Sequence, residues 1–343
     1  MREKPHVELS GDYDYEQESE VLDMKMGAWI RGGDEMPLAA QIAAAAGYGI
    51  RTIRCYEIGY ARAVASVVKE AGVSLLAGMH VDSAALVRDW RSQVRLDELA
   101  QYHELGIPLE GVCVGNELRE GSDDPGSKKF TARLSFGMVN VLAAYRKWLD
   151  DHNLSTQLTY AMEGIVFDEK GYFNEWLWPL IDACDVVSLN AYSMDNRAWF
   201  SFDAFEENRL LLHDARERHL RFALFELRLR RTLDQLARVN KPLFLSETGL
   251  PSAVGYHMEG ELLVVPESDN ARYGETMREY VQLIRRVNQD YDGRIQALWF
   301  YEWRDNLHHG AIWNEAVQSP IHTSFGLCDR FGTPKFDIRS VTE

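Results

Sequence analysis

The chain alternates between two residue patterns. Short, continuously apolar runs recur along the chain, and a helical pattern follows nearly every one. The runs are Met24–Ile30, Arg51–Tyr56, Val73–Met79, Gly111–Asn116, Gln157–Met162, Asp185–Asn190, Pro242–Ser246 and Ile295–Tyr301. They lack the apolar/polar alternation of half-buried strands, which fits parallel strands covered on both sides. The helical stretches between them include Pro37–Ala46, Ala61–Glu70, part of Ser83–Leu105, Phe130–His152, Asn174–Ala183, about 204–239 and Asn270–Asn288. Repeated strand–helix units of this kind build either an open doubly wound sheet or a closed (β/α)8 TIM barrel. Eight strands within about 280 residues predict the barrel. No GxGxxG follows the first strand and no GxxxxGK[ST] occurs, which argues against the nucleotide-binding sheets.

The chain has 343 residues, and 46% hydrophobic with 26% charged residues suffices for a large core. It carries 37 Lys and Arg against 53 Asp and Glu, a formal charge of −16. That balance repels phosphate backbones and anionic lipid, so neither nucleic acid nor membrane is an expected partner. No stretch approaches the ~18 apolar residues of a membrane helix. Residues 1–22 are polar and acidic and read as an extension preceding a barrel over 23–343. They show no signal-peptide pattern, which predicts a cytoplasmic chain acting on short oligosaccharides, or a secreted one whose leader has been removed. Cys55, Cys113, Cys184 and Cys328 are widely spaced, without a CxxC pair. They do not suggest a zinc site, and the first three sit where buried free thiols belong. The adjacent His308 and His309 would diverge on a strand or helix, so no metal is expected there. Oligomeric state is not legible.

In a barrel, function gathers at the C-terminal ends of the strands. Those ends carry Trp29, Arg31, Arg54, Tyr56, Glu57, His80, Asp82, Asn116, Glu117, Tyr160, Glu163, Asn190, Tyr192, Glu247, Glu302 and Trp303. The ring is rich in carboxylates and aromatics. It holds no recognisable Ser-His-Asp set and no clustered metal ligands. Two glutamates directly end apolar runs, Glu117 after VCVGN and Glu247 after PLFLS. They lie on the fourth and seventh strands, across the mouth from each other. Paired carboxylates are what glycosidic cleavage needs, one to protonate the leaving oxygen and one to attack or to activate water. Separations of about 5–5.5 Å belong to the retaining mechanism, and mutual repulsion raises one pKa so that this group acts as the acid. A lone strand-end glutamate is more often a solvated rim residue, which is the bland reading of Glu57, Glu163 and Glu302.

The segments VGNEL (Val114–Leu118) and LSETGLPS (Leu245–Ser252) resemble the motifs of glycoside hydrolase family 17, the clan A β-1,3-glucanases. RTIRCYEIG (Arg51–Gly59), DVVSLNAYS (Asp185–Ser193), Ser268–Ile284 and FGLCDRFGTPKF (Phe325–Phe336) extend the resemblance over most of the chain. Leu250 stands where that family carries a tryptophan, and AWIRGG (Ala28–Gly33) replaces its first-strand segment. The resemblance implies a retaining β-glycosidase with Glu117 as acid/base and Glu247 as nucleophile, acting on β-linked glucan or its oligosaccharides without a cofactor. It further implies Asn116 on the sugar 2-hydroxyl, Tyr192 and Asn190 lining the site, and Arg54, Tyr56 and Glu57 supporting the nucleophile or touching sugar. Glu302 and two tryptophans, Trp303 and Trp199, complete the expected subsites, since exposed indoles stack on sugar faces. A transglycosylase would use the same residues. A carbohydrate-binding barrel without activity is the other class, against which retention of both glutamates speaks.

Overall fold

The eight apolar runs become eight parallel strands because each is buried on both sides. The computed structural model describes residues 24–31, 36–55, 58–120, 130–163, 174–192, 215–259, 263–306 and 323–343. The strands are β1 (Lys25–Trp29), β2 (Thr52–Arg54), β3 (Ser74–Met79), β4 (Leu109–Asn116), β5 (Leu158–Glu163), β6 (Val187–Asn190), β7 (Leu243–Thr248) and, after a hairpin of β8 (Ala253–Glu259) and β9 (Leu263–Ser268), β10 (Ile295–Phe300). The barrel closes in the order β1-β10-β7-β6-β5-β4-β3-β2, with β1 pairing β10 in parallel. The architecture is a (β/α)8 barrel, as the sequence predicts.

The helices are α1 (Leu38–Gly47), α2 (Ile58–Ala71), α3 (Ser83–Arg88), α4 (Leu96–Glu104), α5 (Ala132–Asp151), α6 (Leu177–Ala183), α7 (Ala215–Leu236), α8 (Asn270–Asp290) and α9 (Arg339–Thr342). α5 is the amphipathic helix its pattern predicts, burying Leu134, Met138, Val141, Leu142, Tyr145 and Leu149. The Thr131 hydroxyl accepts from Leu134 N–H and so caps its start. The helix expected within Ser83–Leu105 is broken. Asp82 caps α3, then Asp89 caps a 3-10 turn at Trp90–Gln93, and α4 follows. The Asp89 carboxylate accepts from Arg91 N–H, a donor that a continuous helix would bond internally, whereas Asp82 accepts from a first-turn N–H that has no intrahelical partner.

Two apolar clusters divide the core. One lies inside the barrel and contains Trp29, Leu76, Cys113, Ala161, Phe244, Ala297, Trp299, Tyr301 and Phe325. The other packs the strands against the helices. Trp299 is fully buried, and Gly27 opposite it must be glycine, since a Cβ there would meet the indole at 2.5 Å. All four cysteines are buried free thiols. Among the described residues no helix is long and apolar enough to cross a membrane. The N-terminal extension at 1–22 lies outside the described residues.

Candidate active site

Strand alternation sets which side chains enter the mouth. On β5, Thr159 bonds Ser188 on β6, Ala161 joins the interior cluster, and Glu163 is next on the same face. β4 ends differently. Gly115 has φ +78°, and Glu117 has φ +46° just past the last strand residue. The left-handed region is free to glycine but costs a glutamate on the order of 1 kcal/mol or more. Glu117 N–H bonds Ala161 O at 2.9 Å, and Leu118 N–H bonds the Tyr160 hydroxyl at 2.7 Å, which hold that backbone against the strain.

Glu117 and Glu247 belong to one hydrogen-bonded network. Asn190 Nδ2 donates to Glu117 Oε1 and to Asn116 Oδ1, each at 3.0 Å. Asn190 Oδ1 in turn accepts from Ser246 Oγ at 2.9 Å. Arg54, 1% exposed, donates from Nη1 to Glu247 Oε1 at 3.1 Å and to Ser246 O at 2.7 Å, and from Nη2 to Asn116 Oδ1 at 3.0 Å. Tyr192 Oη donates to the other oxygen, Glu247 Oε2, at 3.0 Å. Both Glu247 oxygens therefore accept hydrogen bonds, an arrangement suited to an anionic nucleophile. Asn116 Oδ1 takes two donors, which leaves its Nδ2 as the end to offer a ligand. Burial keeps the Tyr192 phenol far above its usual range, so it remains a donor.

The two glutamates sit in different fields. Desolvation in the enclosed mouth pushes Glu117 up to about 7, and the nearby charges of Glu247 and Glu163 add to the shift. Its hydrogen bond from Asn190 and the charge of Arg119 oppose it. Such a carboxyl holds its proton near neutrality, as a general acid must.

An aromatic wall stands beside the network. Tyr192, Tyr301 and Phe325 meet edge to face at 5.8–6.4 Å, and Trp29 meets Tyr301 at 5.4 Å. Two guanidinium groups lie over the Trp29 ring, Arg54 at 5.1 Å and Arg31 at 4.8 Å from its centre. Arg31 also donates to Tyr301 Oη at 3.0 Å and pairs with Glu302 Oε2 at 3.3 Å.

Arg54, Asn116, Glu117, Asn190, Tyr192 and Glu247 thus come together. Glu302 lies behind Arg31, 2% exposed, and burial pushes it up to about 8 despite that neighbour. It anchors Arg31, whose side chain is 31% exposed. Trp303 corrects the expectation of a sugar-stacking face. It is 1% exposed and lies in the outer core, 6.1 Å from the Tyr48 ring. Beyond Phe300 the strand has ended, and Trp303 N–H bonds Trp29 O at 2.8 Å, which fixes the indole among the helices. Tyr56, Glu57 and Trp199 lie outside the described residues, as do His308 and His309. Arg31, Ser246 and Tyr301 complete the surroundings of the pair. The inward parity of Ser246 on β7 could have flagged it, whereas Tyr301, one residue past β10, and Arg31 had no sequence signal beyond their strand-end positions.

No family model matches the chain, and no curated protein matches it. Solved structures do share its fold. An endo-laminarinase from Formosa superposes with a TM-score of 0.58 at 16% identity, covering 90% of this chain and 84% of that one. A β-glucuronidase from Ruminococcus gnavus gives 0.58 at 15% identity over 93% of this chain and 49% of that one. The same glucuronidase in complex with D-glucuronic acid gives 0.56, also at 15% identity, with 93% and 48% covered. The chain therefore spans about half the length of the glucuronidase. At these identities the likeness establishes the barrel fold.

Proposed function

We propose that the protein is a retaining β-glycosidase working by double displacement. The observation that carries this reading is the Arg54–Glu247 and Asn190–Glu117 network. It joins a glutamate just past β4 to one on β7 and gives them unlike environments. Glu247 attacks the anomeric carbon while Glu117 gives its proton to the departing glycosidic oxygen. The covalent glycosyl ester is then opened by water, and Glu117 takes the water's proton. The chemistry is complete with these two side chains and needs no cofactor. Arg54 and Tyr192 orient Glu247, and Asn116 Nδ2 faces the sugar 2-hydroxyl. The favoured substrate is a β-linked glucan or its oligosaccharides, β-1,3 first. The motif resemblance supports this, as does the fold shared with an endo-laminarinase. Transfer to a sugar acceptor instead of water would use the same residues, and the two outcomes differ only in what reaches the ester.

Trapping tests the reading. A 2-deoxy-2-fluoro-β-glucosyl donor with a good leaving group forms the ester quickly and releases it slowly. Mass spectrometry of the digested protein should find one fluoroglucosyl unit on the peptide containing Glu247. Time-dependent inactivation with the label on another residue would contradict the assignment.

A further inference from the structure

Above Ala161 on the inward face of β5, Glu163 forms an ion pair with Arg119, two residues beyond Glu117, at 2.5 Å. Both side chains stay partly open to solvent, 34% for Arg119 and 38% for Glu163. Both also act on Glu117, Glu163 raising its proton affinity and Arg119 lowering it. The pair therefore lies beside the acid, Arg119 just after β4 and Glu163 at the end of β5. The groups that hold Glu247 come from elsewhere, Arg54 from β2 and Tyr192 from just after β6. An acid that protonates the glycosidic oxygen stands on the leaving-group side of the scissile bond, with the nucleophile on the other. The flank beside Glu117 is thus the flank of the departing group.

We infer that Arg119 and Glu163 form the binding site for the leaving group, and that this group is itself a sugar. The inference rests on the glycosidase reading above. An ion pair open by a third offers fixed, charged donors and an acceptor within one side chain's reach, a match for neighbouring hydroxyls. An apolar aglycone laid on the same pair would strip its water and return no hydrogen bonds, which is costly. A sugar ring replaces that water with its own hydroxyls. In the second half-reaction the pair would hold an incoming sugar at the same place, so it also biases the ester toward transfer.

The test compares a sugar leaving group with one that has no sugar. Wild type, Arg119→Met, Arg119→Lys and Glu163→Gln are assayed for kcat/KM on β-1,3-glucobiose and on 4-nitrophenyl β-glucoside. Both substrates share the glycone, but 4-nitrophenolate needs less acid assistance than a sugar, so each variant is assayed at its own pH optimum with Glu117 protonated, where the ratio reads binding of the departing sugar. The ratio should fall by about tenfold or more in Arg119→Met and Glu163→Gln, with melting temperatures near wild type, and Arg119→Lys should recover part of it. A ratio within about twofold of wild type in both would overturn the assignment and leave the glycosidase reading standing. A wild type that cleaves neither substrate would overturn both.

Discussion

Arg54 on β2 reaches across the barrel to Glu247 on β7, and its guanidinium donates to the Glu247 carboxylate at 3.1 Å. The arginine is 1% exposed, and its other bonds run to Ser246 O and Asn116 Oδ1. A charge so placed is stable only while its partners stay. Arg54→Met leaves Glu247 buried without its cation and should cost about 3–5 kcal/mol in urea unfolding. Activity should fall by about 100-fold or more, because the proposed nucleophile loses both charge support and aim. Retention of more than about a tenth of the wild-type kcat/KM would contradict the role given to Arg54.

The other glutamate sets the pH dependence. Glu117 is pushed up to about 7 from its ordinary 4.5, chiefly by desolvation. The proposed acid works only when protonated, so kcat/KM should decline as pH rises through about 7. The same shift acts on stability. The folded state binds this proton more tightly than the unfolded chain, so stability is fully present below 4.5 and is lost as pH rises to about 7. Glu117→Gln cannot ionise. It should therefore unfold like wild type at pH 4 and be more stable at pH 8, by up to about 3 kcal/mol. Equal stability of the two at pH 8 would show that Glu117 ionises without penalty.

Tyr192 holds the second Glu247 oxygen at 3.0 Å. Tyr192→Phe keeps the ring against Tyr301 and Phe325 and removes only the hydroxyl. One hydrogen bond to a charged group corresponds to about 1.5–3 kcal/mol, or roughly a 10- to 150-fold loss in kcat/KM, with the melting temperature little changed. Steady-state kinetics beside thermal melts would separate this from a packing defect, which would lower both.

Lys335 ties three segments together. Its ammonium, 5% exposed with the whole residue, donates to Asp305 Oδ1 at 2.6 Å and Ser252 Oγ at 2.7 Å. Ser252 and Ser268 bond each other at 2.7 Å and so close the base of the β8–β9 hairpin. Lys335→Met leaves Asp305 buried and unpaired and should cost about 3–5 kcal/mol. Adding Asp305→Asn should return part of that loss in the same urea series, whereas additive losses would show that the two residues act independently.

Much of this fold could be read from the chain because buried parallel strands must be apolar on both faces. The eight runs from Met24 to Tyr301 each overlap one observed strand of the barrel. Glu117 and Glu247 were legible for a related reason, since a charge that directly ends an apolar strand has only the barrel mouth to enter. What escaped depends on contacts distant in sequence. The hairpin at Ala253–Ser268 pairs with itself outside the barrel, and only Gly260 between two β-rich runs marked it. Asp89 reads equally well as a solvated helix residue and as a cap. Trp303 and Glu302 follow the end of β10, where period-two alternation no longer applies, so their burial could not be inferred from position.

Retaining cleavage of a β-glycosidic bond by Glu247 and Glu117, as proposed, leaves a stereochemical record in the product. An NMR time course tests it most directly, with β-1,2-, β-1,3-, β-1,4- and β-1,6-linked gluco-oligosaccharides given to wild type and Glu247→Ala in parallel. The expected result is cleavage of one linkage, β-1,3 first, with the β-anomer of the product appearing before mutarotation and no turnover by the variant. Appearance of the α-anomer first, or undiminished turnover by Glu247→Ala, would contradict it.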